Sequence, residues 1–242
     1  MKLDATAVQL GEAVTRTSDN ARLRYRENRN WRIYQKEWIY KNINFKGKDV
    51  LDFGCGTGEI TTQIAFLGAN RIYALDVTPG LLESTQRRAQ VDGVADRIKT
   101  VCGRVETLEP MPVDVIIAFA VLHHCFPLET VMPALLLWLK PGGTFVAVEP
   151  ISYLKRLEWL RDRSCIPSDP LDEGERKLRA EDLRYVASHF VESRIIHFRL
   201  LGRLSRLWPK YDRLYRRLDQ PLLKVPMMCK LAGSAVILGT SH

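Results

Sequence analysis

The chain has 242 residues, 46% of them apolar, and a formal net charge of +8, enough for one sizeable α/β domain with additions around a proper core. No apolar run approaches the roughly 18 residues of a membrane-spanning helix, and the opening MKLDATAVQLGEAV has an early acid and no long apolar region, so no secretory signal is expected. Five scattered cysteines (Cys55, Cys102, Cys125, Cys165 and Cys229) form no C-x-x-C pair, which predicts a reducing, cytoplasmic setting and argues against a disulfide framework or a zinc site.

Charge is unevenly spread. Residues 1–50 carry a net +5, residues 51–150 a net −4 and residues 151–242 a net +7. Basic ends suit a phosphate-bearing partner, an acidic middle suits a cationic ligand, and solvated helix faces account for most such charges.

In chain order, residues 18–42 read as a helix, with Leu23, Trp31, Ile33, Tyr34, Trp38 and Ile39 near helical spacing. KDVLDF (48–53) is a short apolar strand ending at a glycine turn, and EITTQIAFLG (59–68) a helix. RIYALDV (71–77) is a second strand, PGLLESTQRRAQVDG (79–93) a helix with Pro79 near its start, and RIKTVCG (97–103) a third strand. VDVIIAFAVLHH (113–124) reads as a fourth strand, LETVMPALLLWLK (128–140) as a helix interrupted by Pro133, and TFVAVEP (144–150) as a fifth strand after the turn PGG. This alternation is the pattern of a Rossmann-like, doubly wound, mostly parallel sheet. Its ligands bind beyond the carboxyl ends of the strands, where Asp52, Asp76, Gly103, His123 and Glu149 all fall.

Beyond residue 150 the pattern changes. A helix (151–163), a polar loop, a helix (179–190) and a strand (191–201) lead into a basic, aromatic insertion at 202–229. LAGSAVILG (231–239) is a last strand. The whole chain, 1–242, reads as a single domain with a core at about 46–150 and cap elements at 1–45 and 151–229.

The stretch VLDFGCGTGEI (50–60) places Gly54, Gly56 and Gly58 on alternate positions. A dinucleotide turn would have a third glycine where Glu59 stands, and a triphosphate loop would have a following lysine. Asp52 and Glu59 beside the turn are poor company for a diphosphate and suit a cationic or uncharged ligand. Asp76 ends the second strand, where an acid can take both ribose hydroxyls of an adenosine. The residues describe a nucleoside without phosphates.

VLDFGCGTG, ALDVT, VDVIIAFAVLHH and LLLWLKPGGTFVAVEP, taken together over roughly 48–150, resemble the successive motifs of class I S-adenosylmethionine-dependent methyltransferases. The resemblance implies a seven-stranded sheet with a reversed last strand, which LAGSAVILG would supply. It implies S-adenosyl-L-methionine as cofactor, with S-adenosyl-L-homocysteine as product. The Gly54–Gly58 turn with Asp52 and Cys55 would pass under the methionine part. Asp76 and Val77 would meet the ribose, and Ala118 and Phe119 the sulfonium side. At the position of the acid that accepts from adenine in many relatives stands Arg104, which has no acceptor; the backbone of Val105, or Glu106, would serve instead. Tyr25 and Tyr34 of the N-terminal helix would close over the cofactor.

His123 and His124 end the fourth strand beside the expected methyl group, and a histidine there can take a proton from a hydroxyl acceptor. The other reading is that the pair shapes the strand end. Opposite pointing of adjacent strand residues would leave one in the cleft, and resemblance favours His123. Glu149 reads as a residue that orients a substrate or metal, or as a helix cap or salt-bridge partner. In LSRLWPKYDRLYRRL (204–218), Leu204, Leu207, Trp208, Tyr211, Leu214, Tyr215 and Leu218 keep helical spacing opposite a basic stripe. It reads as a lid, an interfacial helix or a nucleic-acid surface. No RNA-binding module accompanies it, so a nucleic-acid partner is not expected. The expectation is a cytoplasmic or membrane-peripheral enzyme of small-molecule biosynthesis. It would methylate oxygen on a small, lipophilic or aromatic acceptor and touch a membrane, if at all, through 203–218. The alternatives are an RNA or protein methyltransferase and a noncatalytic cofactor-binding protein.

Overall fold

The structure, a computed structural model, describes residues 29–154, 159 and 176–242. The described residues form a seven-stranded sheet in the order β3-β2-β1-β4-β5-β7-β6. The strands are β1 (Asp49–Phe53), β2 (Arg71–Asp76), β3 (Ile98–Cys102), β4 (Val113–Phe119), β5 (Leu139–Pro150), β6 (Glu192–Phe198) and β7 (Ser234–Thr240). β1 to β5 run parallel, and β7 inserts antiparallel between β5 and β6. The reversed last strand is therefore present. The order changes direction between β1 and β4, the crevice where open parallel sheets take ligands.

Both sheet faces are covered, which is why the central strands read as unbroken apolar runs. One face buries Leu51, Ile116, Trp138 and Phe145 against α4 (Leu128–Leu136) and α5 (Ala180–Ala187). The other buries Val50, Ile117, Val146 and Val236 under α1 (Arg29–Asn42), α2 (Glu59–Phe66) and α3 (Pro79–Val91).

Several boundaries differ from the sequence reading. β5 opens at Leu139 and runs through the expected turn at 141–143, α4 ends at Leu136 and β6 ends at Phe198. β4 stops at Phe119, because Ala120 takes a left-handed backbone (φ 57°), and Leu122–His124 form a 3-10 turn. The histidines therefore lie on a turn, with their rings tilted together 3.9 Å apart rather than on opposite faces. Pro133 lies inside α4 without breaking it. The insertion is a chain of short helices: 3-10 turns at Gly202–Arg206 and Pro209–Tyr211, then α6 (Asp212–Leu222) and α7 (Pro226–Cys229). Pro209 opens its turn instead of kinking a longer helix. The expected helix at 151–163 does not begin at 151: residues 151–154 are not helical, and Ile151 bridges to Leu178. Apart from residue 159, its remainder lies outside the described residues, as do the polar loop after it and the start of the helix at 18–42.

Candidate active site

The glycine turn is built by three neighbours. The amides of Gly54 and Cys55 both donate to the Leu75 carbonyl (2.8 and 3.0 Å), lashing the turn to β2. From α3, Thr85 Oγ1 donates to the Gly56 carbonyl and Arg88 Nε to the Thr57 carbonyl, each at 2.9 Å. Gly54, Gly56 and Gly58 have φ of 70°, 56° and 76°, a region costly for other residues. A Cβ on Gly54 would lie 2.3 Å from Val121 Cγ2, so the β1 and β4 turns meet face to face. A Cβ on Gly56 would meet nothing within 4 Å. Backbone at Gly56 thus borders open space, as a cradle for an approaching ligand requires.

Asp76 closes the side of this cradle. Its Oδ2 accepts from the Gly56 amide (3.0 Å) and its Oδ1 from the Thr78 amide (2.9 Å). Burial raises its pKa, against the lowering effect of those amides. Each oxygen keeps lone pairs for a diol. The open backbone at Gly56 and this bidentate-capable acid fit a nucleoside, so the residues present suit S-adenosylmethionine. Asp52 behaves differently from the sequence reading. It is 1% exposed and accepts from Thr61 Oγ1 of α2 at 2.5 Å. Burial raises its pKa to about 7. It supports the turn from below and does not present a carboxylate to the cleft.

At the end of β4 the centre is Glu149, which is fully buried. Its Oε1 accepts from the amides of Val121 (3.0 Å) and Leu122 (2.8 Å), and its Oε2 lies 2.8 Å from His123 Nδ1. A carboxylate here fixes both the turn and the imidazole. His123 then donates from Nδ1 and keeps an acceptor lone pair on Nε2. His123 is buried to 7% exposure while His124 is exposed. Cys125 donates to the Val121 carbonyl, and burial pushes its thiol to about 12, so it is no nucleophile.

Several expected contacts change. Ala118 is completely buried, so its side chain belongs to the core; Phe119 is half-buried at the carboxyl end of β4. Cys55 is buried against Thr85, and Val77 is exposed beside Asp76. Val105 is buried, and Glu106 pairs with Arg104 at 2.9 Å, so the arginine occupies the acid expected to replace it. Tyr34 donates to the Arg216 carbonyl and sits edge-on to Phe198, a packing role between α1 and the insertion. Tyr25 lies outside the described residues.

Sequence reasoning missed the contacts that tie α1 to the sheet. Lys36 of α1 pairs with Glu59 at the start of α2, and its ammonium lies 5.7 Å from the Phe119 ring centroid. Gln35 donates to Ser234 Oγ at 2.7 Å. It also missed Tyr153, whose hydroxyl lies 2.6 Å from His197 Nε2. Nothing in the local sequence pairs residues so far apart.

With this geometry in place, residues 50–143 match the methyltransferase-domain family. Among curated relatives, the ribosomal protein L11 methyltransferase of Vibrio cholerae is 33% identical over 107 residues, covering 44% of this chain and 35% of its own. A probable protein arginine N-methyltransferase 6.2 of Oryza sativa is 36% identical over 126 residues, covering 50% and 31%. The chain thus spans about a third of the length of these relatives. Among solved structures, the N-methyltransferase NodS from Bradyrhizobium japonicum WM9, in complex with S-adenosyl-L-homocysteine, superposes with TM-score 0.63 at 14% identity, covering 97% of this chain and 98% of its own. The [4+2]-cyclase SpnF superposes with TM-score 0.60 at 17% identity, covering 86% and 80%. Residues 50–143 thus match a methyltransferase domain, set in the fold that these solved structures share.

Proposed function

We propose that the protein transfers a methyl group from S-adenosyl-L-methionine to a hydroxyl of a small organic acceptor, with His123 as general base. Bound at the turn, the cofactor supplies an electrophilic methyl group on a sulfonium. The chain's residues do the rest. The turn offers open backbone at Gly56, Asp76 offers carboxylate oxygens to a diol, and Lys36 with Glu59 ties α1 to the start of α2. Alignment of acceptor and methyl group carries much of the rate in such a displacement. The observation that carries the reading is the Glu149–His123 pair at 2.8 Å. It fixes the imidazole in the tautomer whose free nitrogen accepts a proton.

The acceptor's lipophilic character rested on an apolar lid, and the structure removes that support. Trp208, Tyr211, Leu214 and Leu218 are 42–50% exposed and face outward. A protein acceptor is the second reading, favoured by the ribosomal-protein and arginine methyltransferases among the relatives. The test is methyl transfer from labelled cofactor to a panel of phenols, alcohols and amines, beside ribosomal proteins and arginine-rich peptides. Labelling of a phenol or alcohol supports the proposal. Labelling of polypeptides alone, or no calorimetric binding of S-adenosyl-L-homocysteine, sinks it.

A further inference from the structure

The insertion is built with its polarity reversed. A helix on a soluble protein turns its apolar stripe inward. In α6 the most buried position is charged, beside the half-buried Tyr215, Arg216 and Leu222. Asp219 is 1% exposed and accepts from the amides of Leu200 (3.2 Å), Leu201 (2.6 Å) and Gly202 (3.1 Å). Asp212 accepts from Ser205 Oγ (2.9 Å) and pairs with Arg216 (2.6 Å), which also reaches Glu37 of α1 (3.5 Å).

The outward surface combines two stripes. Leu214 and Leu218 stand one turn apart, 50% and 42% exposed, with Trp208 and Tyr211 leading into them. Arg213 and Arg217 stand one turn apart beside them, with Lys210 just before, all exposed. The two acids of 207–222, Asp212 and Asp219, are both turned inward and engaged. The outer face therefore offers aliphatic, aromatic and cationic groups, with no acidic residue among them.

We propose that this face, residues 207–222, seats on the surface of an anionic lipid bilayer. Aliphatic side chains gain by entering the acyl boundary, an indole and a phenol suit the interface, and flanking cations meet anionic headgroups. RNA would use the cations and the aromatic rings but leaves leucines unrewarded. No helix among the described residues is long and apolar enough to cross a membrane, so contact is peripheral. The proposal is independent of the reaction, since none of these side chains lines the glycine turn or the histidine turn.

The test is cosedimentation of the full chain with vesicles of phosphatidylcholine alone and of phosphatidylcholine mixed with phosphatidylglycerol. The expected result is binding to the mixed vesicles at least about tenfold tighter than to the neutral ones, weakening with salt. The double variant Leu214→Asp/Leu218→Asp loses vesicle binding. Arg213→Glu/Arg217→Glu loses the preference for anionic lipid. Both keep S-adenosyl-L-homocysteine binding, which reports an intact domain. Should a double variant fail to fold, quenching of Trp208 fluorescence by brominated lipid, absent in Trp208→Phe, carries the test in the natural chain. No vesicle binding, equal binding to both vesicle types, or vesicle binding unchanged in both variants would overturn the proposal. So would tighter binding to single-stranded RNA than to vesicles, or a dimer abolished by the leucine variant; the face would then belong to RNA or to a second copy.

Discussion

The buried carboxyl of Asp52 carries a pH signature. Burial raises its pKa from 3.8 to about 7, with the neighbouring Asp76 adding in the same direction. The folded chain then holds this proton more tightly than the unfolded chain. The associated stability is fully present below about pH 4 and is lost as pH rises through about 7, at most about 4 kcal/mol. Asp52→Asn keeps an acceptor for Thr61 and has no proton to lose. Urea midpoints of the unliganded proteins should diverge above about pH 4 in favour of the variant; parallel curves would mean Asp52 ionises normally. His123 is the base of the proposed reaction. His123→Ala should lower kcat by about 10²–10⁴ for a hydroxyl acceptor and leave S-adenosyl-L-homocysteine affinity unchanged. Glu149→Gln should retain part of the rate but displace its pH profile, because an amide stabilises an imidazolium less than a carboxylate does. A uniform rate loss with an unmoved profile would reduce Glu149 to a scaffold for the turn. The pairing of Glu149 with His123 was not legible in the sequence, where the two are separated by a helix and most of a strand.

Among the elements, the strands were legible because buried parallel strands write their burial into the sequence as apolar runs. The turn after β4 was not. VLHH continues an apolar run, and only the left-handed backbone at Ala120 ends the strand. The facing glycine turn accounts for the next residue: Val121 fills the place that a side chain on Gly54 would need. Gly54→Ala therefore meets two penalties: about 1–2 kcal/mol for the left-handed backbone and about 1–3 kcal/mol for the clash. Val121→Gly in the same chain, which clears both the Cγ2 at 2.3 Å and the Cβ at 2.7 Å, should relieve the second and leave the first. Chemical denaturation of the single and double variants checks this, and absence of any rescue would show that the clash spreads beyond Val121. The insertion misled for a different reason. Helical spacing of apolar residues shows that a stripe exists, and only Asp219 and Asp212, consumed on the inner side, show which way it points.

In the whole molecule, the site joins parts that are distant in the chain. β1, β2 and β4 supply the turn, the acid and the histidine turn, and α1 is tied to the start of α2 through Lys36 to Glu59 and to the start of β7 through Gln35 to Ser234. Residues 50–143 contain most of the first group, which is why the family motifs are readable there. α1 lies outside that segment and has no motif of its own. A ligand held between the turn and α1 should therefore stabilise more than the loop it touches. At about 100 times its dissociation constant, S-adenosyl-L-homocysteine adds about 2.7 kcal/mol to the folded state. For a chain of this size that corresponds to a rise in Tm of about 5–10 °C. If α1 closes on the ligand, its amides at 34–42 should exchange more slowly when bound, together with those of the turn at 54–58. Lys36→Met should keep most of the Tm rise and lose the protection of α1, because it removes the link to Glu59 while leaving the cradle intact. Equal protection of α1 in that variant would mean the helix is held by its apolar packing under Ile39 and Ile43 alone.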